Sequence, residues 1–326
     1  MKSRIFAIVS TAILLVAIAC TSGRWKLVRT DTLSDGVPIL ALYFNDKDHG
    51  WAITPGELLK LNNTGEWVSV LSNNDLERSF ESLVFTGARN GVIVGSKQSE
   101  AGFAALVLRT TDGGKTWEDR PVNVVPARDM RTPHSLHNVA FCDPGVGWAV
   151  GDGIIIKTMD QGETWETQLS GNNSERLFGI ACAGPDRAWA VGPNGLLLQT
   201  INGGKNWSRQ QINEKYLLAQ VRFFGEEGWM VGEVEGRGLL LSTDDGGATW
   251  KRQAIEISET LMDIYMNGLQ GWVVGSNGTI WHTSDGGRSW EKQESPTTND
   301  LACLFFLSPD EGWAGGAKRT LLHFRN

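Results

Sequence analysis

The chain lacks the surplus of basic residues that binding to nucleic acid requires. Its 326 residues include 30 Lys and Arg against 37 Asp and Glu, which gives a formal charge of −7. Phosphate binding depends on a basic surface, so DNA and RNA are not expected partners. Low-complexity and strongly charged tracts are also absent, and 41% of the residues are apolar. The chain can therefore bury a large core, and a disordered protein is excluded.

Cysteine is scarce, with four residues and no CxxC spacing. Beyond Cys20 there are only Cys142, Cys182 and Cys303, so one must stay unpaired if the other two form a bridge. Cys182 falls at a core-facing position of the repeat described below, where a free Cys acts as a small hydrophobe. We therefore expect no essential disulfide, no metal site and no cofactor.

The apolar run from Ile5 to Ala19 is short for a membrane span, which needs about 20 residues. It follows two basic residues and has the layout of a secretory signal. Its small residues before Cys20 resemble a bacterial lipobox, in which that Cys receives the lipid. Ala17 departs from the Leu usual at its position, so ordinary cleavage and an uncleaved anchor are the alternatives. We predict a lipoprotein-type signal at residues 1–19 and an exported protein, anchored through Cys20 on the periplasmic, lumenal or extracellular side.

Repetition is what the chain does contain. One eight-residue turn recurs about every 40 to 50 residues, which indicates units that stack on copies of themselves. A segment of the type Gly-Trp-Ala-Val-Gly precedes each turn. The intact turns are Thr110–Trp117, Thr158–Trp165, Thr200–Trp207, Thr243–Trp250 and Thr283–Trp290. The preceding segments centre on Trp51, Val92, Trp148, Trp189, Trp229, Trp272 and Trp313, which makes seven units.

Each unit contains four segments of strand length, separated by Gly, Pro, Asn and Asp. In one unit they are Leu177–Cys182, Ala188–Gly192, Gly195–Thr200 and Asn206–Gln211. Four antiparallel strands repeated seven times predict an all-β protein, a seven-bladed β-propeller, and no helical periodicity competes with this prediction. We expect a single propeller domain over residues 20–326 and a monomer.

The last unit lacks its fourth strand, and the N-terminus supplies a substitute. The Trp that opens the fourth strand occurs in the first six units, and a seventh would fall beyond Asn326. The segment Arg24–Arg29 carries Trp25 in the same pattern as the fourth strands. We predict that this N-terminal strand completes the last blade, closes the ring and hides the exposed sheet edges.

The repeated turn resembles the Asp-box of BNR-type repeats, and we interpret it as structural. Its Asp can accept backbone N–H bonds, its glycines can adopt positive φ, and its Trp can pack between sheets. Sialidases also contain such boxes, at the periphery of their propellers. The motif therefore indicates a fold rather than a catalytic site.

The central channel offers one candidate catalytic group. Alternation along the innermost strands separates a core face from a channel face. The trio Arg222, Asp263 and Tyr265 consists of residue types that are found in a sialidase site, where Tyr is the nucleophile. Other channel positions are mostly small or apolar, so a hydrated or hydrogen-bonded lining is the competing interpretation. The residues expected to face the channel are Tyr43, Asn138, Gln220, Arg222, Asp263 and Tyr265.

Departures from the repeat are the second candidate for a functional site, because loops on a rigid scaffold often carry binding specificity. The connection from Pro121 to His134 is longer than its counterparts, and the insertion from Ser96 to Phe103 adds a second protrusion. Residues from three successive connections would form one basic rim. They are Arg128, Arg131, His134, His137, Arg176, Lys215 and Tyr216.

In an otherwise acidic chain, this rim would bind an acidic segment of a protein partner. The competing interpretation is an ordinary solvated rim. His134 and His137 have a spacing compatible with metal ligands, but no third ligand accompanies them at a recognisable spacing.

The seven units, the two repeated motifs and the lipobox-like Cys20 together resemble the photosystem II stability/assembly factor family, over essentially the whole mature chain. The resemblance implies a non-enzymatic propeller on the lumenal or periplasmic side. It also implies that a basic surface patch binds a newly made reaction-centre subunit, which indicates Arg128, Arg131 and Arg176, although these match no family motif residue by residue. The alternative function is a glycan-binding or glycan-hydrolysing propeller of sialidase type.

Overall fold

The computed structural model describes residues 23–29, 36–73, 77–100, 102–123, 134–170 and 175–326. Within these residues, 29 strands form seven sheets, each built on four antiparallel strands. Two short 3-10 turns, Ser276–Gly278 and Ala317–Arg319, are the helical structure of the described part. The predicted all-β propeller of seven blades is confirmed. The predicted signal at residues 1–19 and Cys20 lie outside the described residues.

The strands are numbered along the chain, beginning with β1 (Arg24–Arg29). Blade 1 contains β2 (Ala41–Asp46), β3 (His49–Thr54), β4 (Glu57–Leu61) and β5 (Trp67–Ser72). Blade 2 contains β6 (Arg78–Phe85), β7 (Gly91–Ser99), β8 (Gly102–Thr110) and β9 (Glu118–Asp119). Blade 3 contains β11 (Leu136–Phe141), β12 (Gly147–Gly151), β13 (Ile154–Thr158) and β14 (Trp165–Ser170), with β10 (Val122–Asn123) added parallel to β14.

Blade 4 contains β15 (Gly179–Ala183), β16 (Arg187–Val191), β17 (Leu196–Thr200) and β18 (Ser208–Gln211). Blade 5 contains β19 (Tyr216–Phe224), β20 (Glu227–Val234), β21 (Arg237–Thr243) and β22 (Lys251–Arg252). Blade 6 contains β23 (Leu261–Asn267), β24 (Gln270–Gly275), β25 (Ile280–Thr283) and β26 (Glu291–Lys292). Blade 7 contains β27 (Leu301–Ser308), β28 (Glu311–Gly316) and β29 (Thr320–Arg325), completed by β1.

The ring closes through the N-terminal strand, as predicted. Strand β1 pairs antiparallel with β29, so that Trp25 lies opposite Phe324. Trp25 is buried and packs against the rings of Phe306 and Phe324. The innermost strands β2 and β27 contact each other, which joins blade 1 to blade 7. The closing strand therefore leaves blade 7 with the same four-stranded sheet as its neighbours.

The two repeated motifs meet between neighbouring blades. Trp189 of blade 4 stacks on Phe223 of blade 5, with ring centroids 3.6 Å apart. A Cβ added at Gly247, in the eight-residue turn of blade 5, would lie 2.7 Å from Nε1 of the same Trp. Only glycine leaves room for the indole there. The equivalent stacks are Trp51 on Phe85, Trp272 on Phe306, and Trp313 on Phe44.

The Gly before each Trp is explained by the innermost strand of its own blade. A Cβ added at Gly228 would lie 2.6 Å from the ring of Phe223. Blade 4 is the exception, because Ala188 stands in the Gly position and pairs with Cys182, which stands in the Phe position. The smaller Cys side chain leaves space for the Ala methyl group.

Cys182 forms a disulfide with Cys142 of blade 3, so the expectation of a free Cys182 is wrong. The two residues are 40 positions apart in sequence, close to the length of one repeat, and their Cα atoms are 5.5 Å apart. Residues one repeat apart lie side by side on adjacent blades, a relation that spacing within a motif does not reveal. Cys303 is free and buried, and burial raises the pKa of its thiol.

The eight-residue turn is held by its own polar side chains, as expected for a structural motif. In blade 5, the backbone N–H of Thr249 donates to Oδ1 of Asp245 at 2.9 Å, and its hydroxyl donates to Oδ2 at 2.6 Å. The backbone N–H of Gly247 donates to Oγ1 of Thr243 at 3.1 Å. The hydrogen bonds from Thr249 hold the pKa of Asp245 well below its usual range. The carboxylate is therefore committed to the turn.

Replacing both Cys142 and Cys182 with Ala should lower the free energy of unfolding by about 2–4 kcal/mol, because the bridge restricts the unfolded chain. Urea unfolding followed by Trp fluorescence measures this change. The single variant Cys303→Ala, which keeps the disulfide, is the control for altering a buried Cys. Reductant should destabilise this control and leave the double variant unaffected. A double variant as stable as the unmodified protein would contradict the account.

Candidate functional site

The two ends of the ring differ in what they carry. The innermost strands all run the same way, so one end collects the connections between blades and the turns between second and third strands. We name this the loop end, and it carries the departures from the repeat. The opposite end, named the Asp-box end, carries the eight-residue turns and the turns between first and second strands. Gly246 N donates to the Glu226 carbonyl at 3.0 Å, which joins these two kinds of turn in blade 5.

A central cavity of about 510 Å³ lies among the innermost strands. Five of the six residues expected to face the channel line this cavity. They are Tyr43, Asn138, Gln220, Arg222 and Asp263.

Asp263 is buried and joins blade 6 to blade 7. Its Oδ1 accepts from the backbone N–H of Ile264 and its Oδ2 from that of Leu304, each at 2.9 Å. Nη2 of Arg222 lies 3.3 Å from Oδ1. Burial raises the pKa of Asp263, and the charge of Arg222 and the two backbone donors oppose that rise. All these partners belong to the scaffold, which indicates a structural role.

Tyr265, expected to face the channel beside Arg222 and Asp263, is not among the residues that line this cavity. Its ring stacks on Phe306 of blade 7, with centroids 4.6 Å apart. Its hydroxyl accepts from Nδ2 of Asn267, at the end of the same strand, at 3.3 Å. The Tyr265 hydroxyl is thus engaged by Asn267 rather than by Arg222 or Asp263.

At the loop end, His137 and Arg176 converge on one carboxylate. Nε2 of His137 lies 3.0 Å from Oδ1 of Asp152, and Nε of Arg176 lies 3.3 Å from the same oxygen. Burial alone would raise the pKa of Asp152, but the hydrogen bond with His137 and the charge of Arg176 outweigh it and lower the pKa. The Arg176 side chain is 62% exposed and presents its remaining N–H donors to solvent. We refer to His137, Asp152 and Arg176 as the Asp152 cluster.

His134 lies beneath the rim rather than on it. It is 5% exposed, and its Nδ1 is 2.7 Å from the backbone carbonyl of Asp152. His134 was predicted to contact a partner, but its burial leaves little of its surface available for that contact. Arg128 and Arg131, from the same connection, lie outside the described residues.

Lys215 and Tyr216, which were also predicted for the rim, both have partners within the chain. Nζ of Lys215 forms an exposed ion pair with Oε1 of Glu235 at 2.7 Å. Tyr216 is half-buried and packs against the apolar core between blades 4 and 5. Within the described residues, the rim is therefore of mixed charge rather than uniformly basic.

Two further features lie at the loop end. Asp152 was not predicted as a site residue. The sequence nevertheless shows this carboxylate directly after the Gly-Trp-Ala-Val-Gly segment of blade 3, where it could have been noticed. The predicted protrusion is present as the long hairpin of β7 and β8, and Phe103 on it is 49% exposed. Phe103 is thus available for contact with a partner.

In the ranges that the structure describes, no three His, Cys, Asp or Glu side chains form a group suited to a metal ion. The same ranges contain no helix with the length and apolar character needed to cross a bilayer.

Comparison with known sequences identifies related proteins. The family model described as "Photosynthesis system II assembly factor YCF48" matches residues 60–170, 123–216, 167–261 and 249–326. A photosystem II assembly protein Ycf48 from Thermosynechococcus vestitus is 25% identical over 190 residues, 56% of this chain and 53% of that protein. A photosystem II assembly lipoprotein Ycf48 from Synechococcus is 33% identical over 93 residues, 27% of this chain and 28% of that protein. The matched parts thus span about half or less of these relatives.

Solved structures share the fold at low sequence identity. The structure described as "YCF48 bound to D1 peptide" has a TM-score of 0.69 and 21% identity, and the match covers 95% of this chain and 97% of that one. A GH74 xyloglucanase from Xanthomonas campestris has a TM-score of 0.68 and 12% identity, covering 92% of this chain and 55% of that one. At these identities the similarity shows the fold alone.

Asp263→Ala should lower the free energy of unfolding by about 2–4 kcal/mol, because it leaves two buried backbone N–H groups without acceptors. Tyr265→Phe keeps the ring stack and should change stability by less than about 0.5 kcal/mol. Urea unfolding of both variants measures the contrast. Asp263→Asn, which keeps one carbonyl acceptor, should fall between them. Equal stability of Asp263→Ala and the unmodified protein would exclude the structural role.

Proposed function

Because this chain belongs to the photosystem II assembly factor YCF48 family, we propose that it is a non-enzymatic scaffold that binds a membrane-protein subunit during assembly. The observation that carries the proposal is the family match, whose segments run from residue 60 to residue 326. The relatives that share this sequence pattern are named as assembly proteins. In its specific version, the subunit belongs to photosystem II.

The competing function, a glycan-binding or glycan-hydrolysing propeller, has less support. The likeness to a xyloglucanase, at 12% identity, is a likeness of fold. Tyr265 is packed between blades, and Asp263 is used by the scaffold. The residues that suggested a sialidase-like site therefore have structural partners instead.

We place the partner site at the loop end, around the Asp152 cluster. The relative of known structure is described as bound to a D1 peptide, so an exposed peptide segment is a fitting ligand class. The exposed guanidinium of Arg176 suits a carboxylate on that segment, since Arg binds carboxylates in a bidentate manner. His137, Lys215 and Tyr216 would border this site, and Arg128 and Arg131 precede it in sequence.

We also propose an exported, monomeric protein whose Cys20 carries a lipid, on the periplasmic or lumenal side of a membrane. The Cys142–Cys182 disulfide supports export, because such bonds persist in oxidising compartments. The Synechococcus relative is named as a lipoprotein, which agrees with the lipobox-like sequence before Cys20.

Capture of partners from detergent-solubilised membranes of the source organism tests the partner site. The protein should retain one defined membrane subunit, and the triple reversal Arg128→Glu/Arg131→Glu/Arg176→Glu should reduce its recovery by roughly tenfold through lost charge complementarity. The matched control makes the same change of charge on exposed residues at the Asp-box end. It is Lys115→Glu/Lys205→Glu/Arg288→Glu, and it should retain the subunit.

Equal recovery with both triple variants would overturn the loop-end site. An activity screen on sialosides and β-glucans tests the competing function in parallel. Hydrolysis by the unmodified protein that Tyr265→Phe abolishes would overturn the scaffold function.

A further inference from the structure

Large apolar side chains are exposed in an arc at the Asp-box end of the ring. Each of blades 3 to 7 contributes one, and their exposed fractions range from 38% to 71%. Side chains of this size are normally buried, and the exposure of one on each of five successive blades at the same end indicates a surface that another body covers. The five are Met159, Ile201, Phe224, Leu269 and Leu307.

The placement of the five follows from the strands that carry them. Met159 and Ile201 follow the third strands β13 and β17, as the second residues of eight-residue turns. Phe224 ends β19, Leu307 lies near the end of β27, and Leu269 lies in the turn between β23 and β24. In blade 6 the two kinds of turn are joined, because Gly286 N donates to the Leu269 carbonyl at 2.9 Å. All five positions therefore lie at one end of the ring.

The same end of blade 1 is polar instead. Its first turn carries ion pairs between Lys47 and Asp48 and between His49 and Asp46. Among the described residues, no exposed large apolar side chain lies in the Asp-box-end turns of blades 1 and 2, although Val68, just after the turn of blade 1, is 39% exposed. The five apolar side chains of the arc thus lie on blades 3 to 7.

The N-terminal segment emerges at this same end. Arg24, the first residue of β1, lies opposite Arg325, the last residue of β29, which runs toward the Asp-box end. The described chain therefore begins at Gly23 on the Asp-box end of blade 7. Cys20 precedes Gly23 by three positions, and an extended chain spans about 3.3–3.6 Å per residue, or roughly 10 Å in all. A lipid on Cys20 is consequently held near the blade 7 end of the apolar arc.

We propose that the Asp-box end of blades 3 to 7 rests on the lipid bilayer and that the five apolar side chains enter its interfacial layer. The inference rests on the proposed lipidation of Cys20. Apolar side chains bind at the boundary of headgroups and acyl chains in proportion to the area they bury. In this orientation the loop end, with the Asp152 cluster, faces away from the membrane surface.

The occupant is a membrane of neutral headgroups. Exposed charges of both signs lie at the same end. Glu226 forms an ion pair with Arg187 and Asp244 forms one with Lys251, and Lys205 and Arg288 are also exposed there. This mixture gives no net attraction to anionic lipids, so the apolar arc and the lipid on Cys20 supply the binding. Phosphatidylcholine vesicles are therefore the suitable probe.

Quenching by spin-labelled lipids measures the orientation directly. The full-length, lipidated protein carrying Cys303→Ala receives a single environment-sensitive fluorophore at Ile201→Cys or Leu269→Cys and is reconstituted into phosphatidylcholine vesicles. Phe103→Cys is the matched control, because Phe103 is also exposed and apolar but lies at the loop end. Lys47→Cys probes the polar side of the Asp-box end. Quenching should be several-fold stronger at Ile201 and Leu269 than at Phe103 and Lys47.

Equal quenching at all four positions, or the strongest quenching at Phe103, would overturn the orientation. Absence of quenching at Ile201, together with loss of a captured protein on Ile201→Asp, would assign the arc to a protein partner and also overturn it. The mass of the N-terminal peptide reports lipidation independently. A mature chain without lipid on Cys20 would overturn this inference and the proposed anchor, while capture at the loop end would still test the scaffold function separately.

Discussion

The stack of a Trp from one blade on the Phe of the next is the contact on which the rest of the ring depends. It joins neighbouring blades at four of the seven junctions, as Trp189 and Phe223 show at 3.6 Å. The same contact runs from blade 7 to blade 1 through Trp313 and Phe44, at 3.8 Å. The glycines of both motifs follow from it, because a Cβ at Gly228 or Gly247 would collide with these rings. The most recognisable sequence motifs therefore build the scaffold.

The junction between blades 3 and 4 departs from this pattern. Cys182 replaces the aromatic residue, and its disulfide with Cys142 connects the two blades covalently. These are the blades that bring together the Asp152 cluster, since Asp152 follows β12 and Arg176 precedes β15. The bond thus reinforces the ring at the junction that carries the Asp152 cluster. The structure separates two tasks, with a uniform scaffold around the ring and individual side chains at one end.

Sequence periodicity was sufficient to predict the blades, their order and the closure through Trp25, because each of these is a property of the repeat. It failed where contacts join unique residues on different blades. The disulfide joins positions 40 residues apart, and Tyr265 turns toward Phe306 of the next blade. The basic rim was overestimated for the same reason, since the carboxylates that pair with Arg176 and Lys215 come from other turns. Pairings of this kind depend on the geometry of the ring, which a repeat pattern does not contain.

The repeated turns build the ring, and the loop end is the site that we propose for binding a membrane-protein subunit. Hydrogen exchange of the protein, alone and with the subunit that it captures, tests this claim most directly. The account predicts slower exchange on binding at residues 134–137, 175–176 and 215–216, with unchanged exchange in the five eight-residue turns. Slower exchange confined to those turns, with none at the loop end, would contradict it.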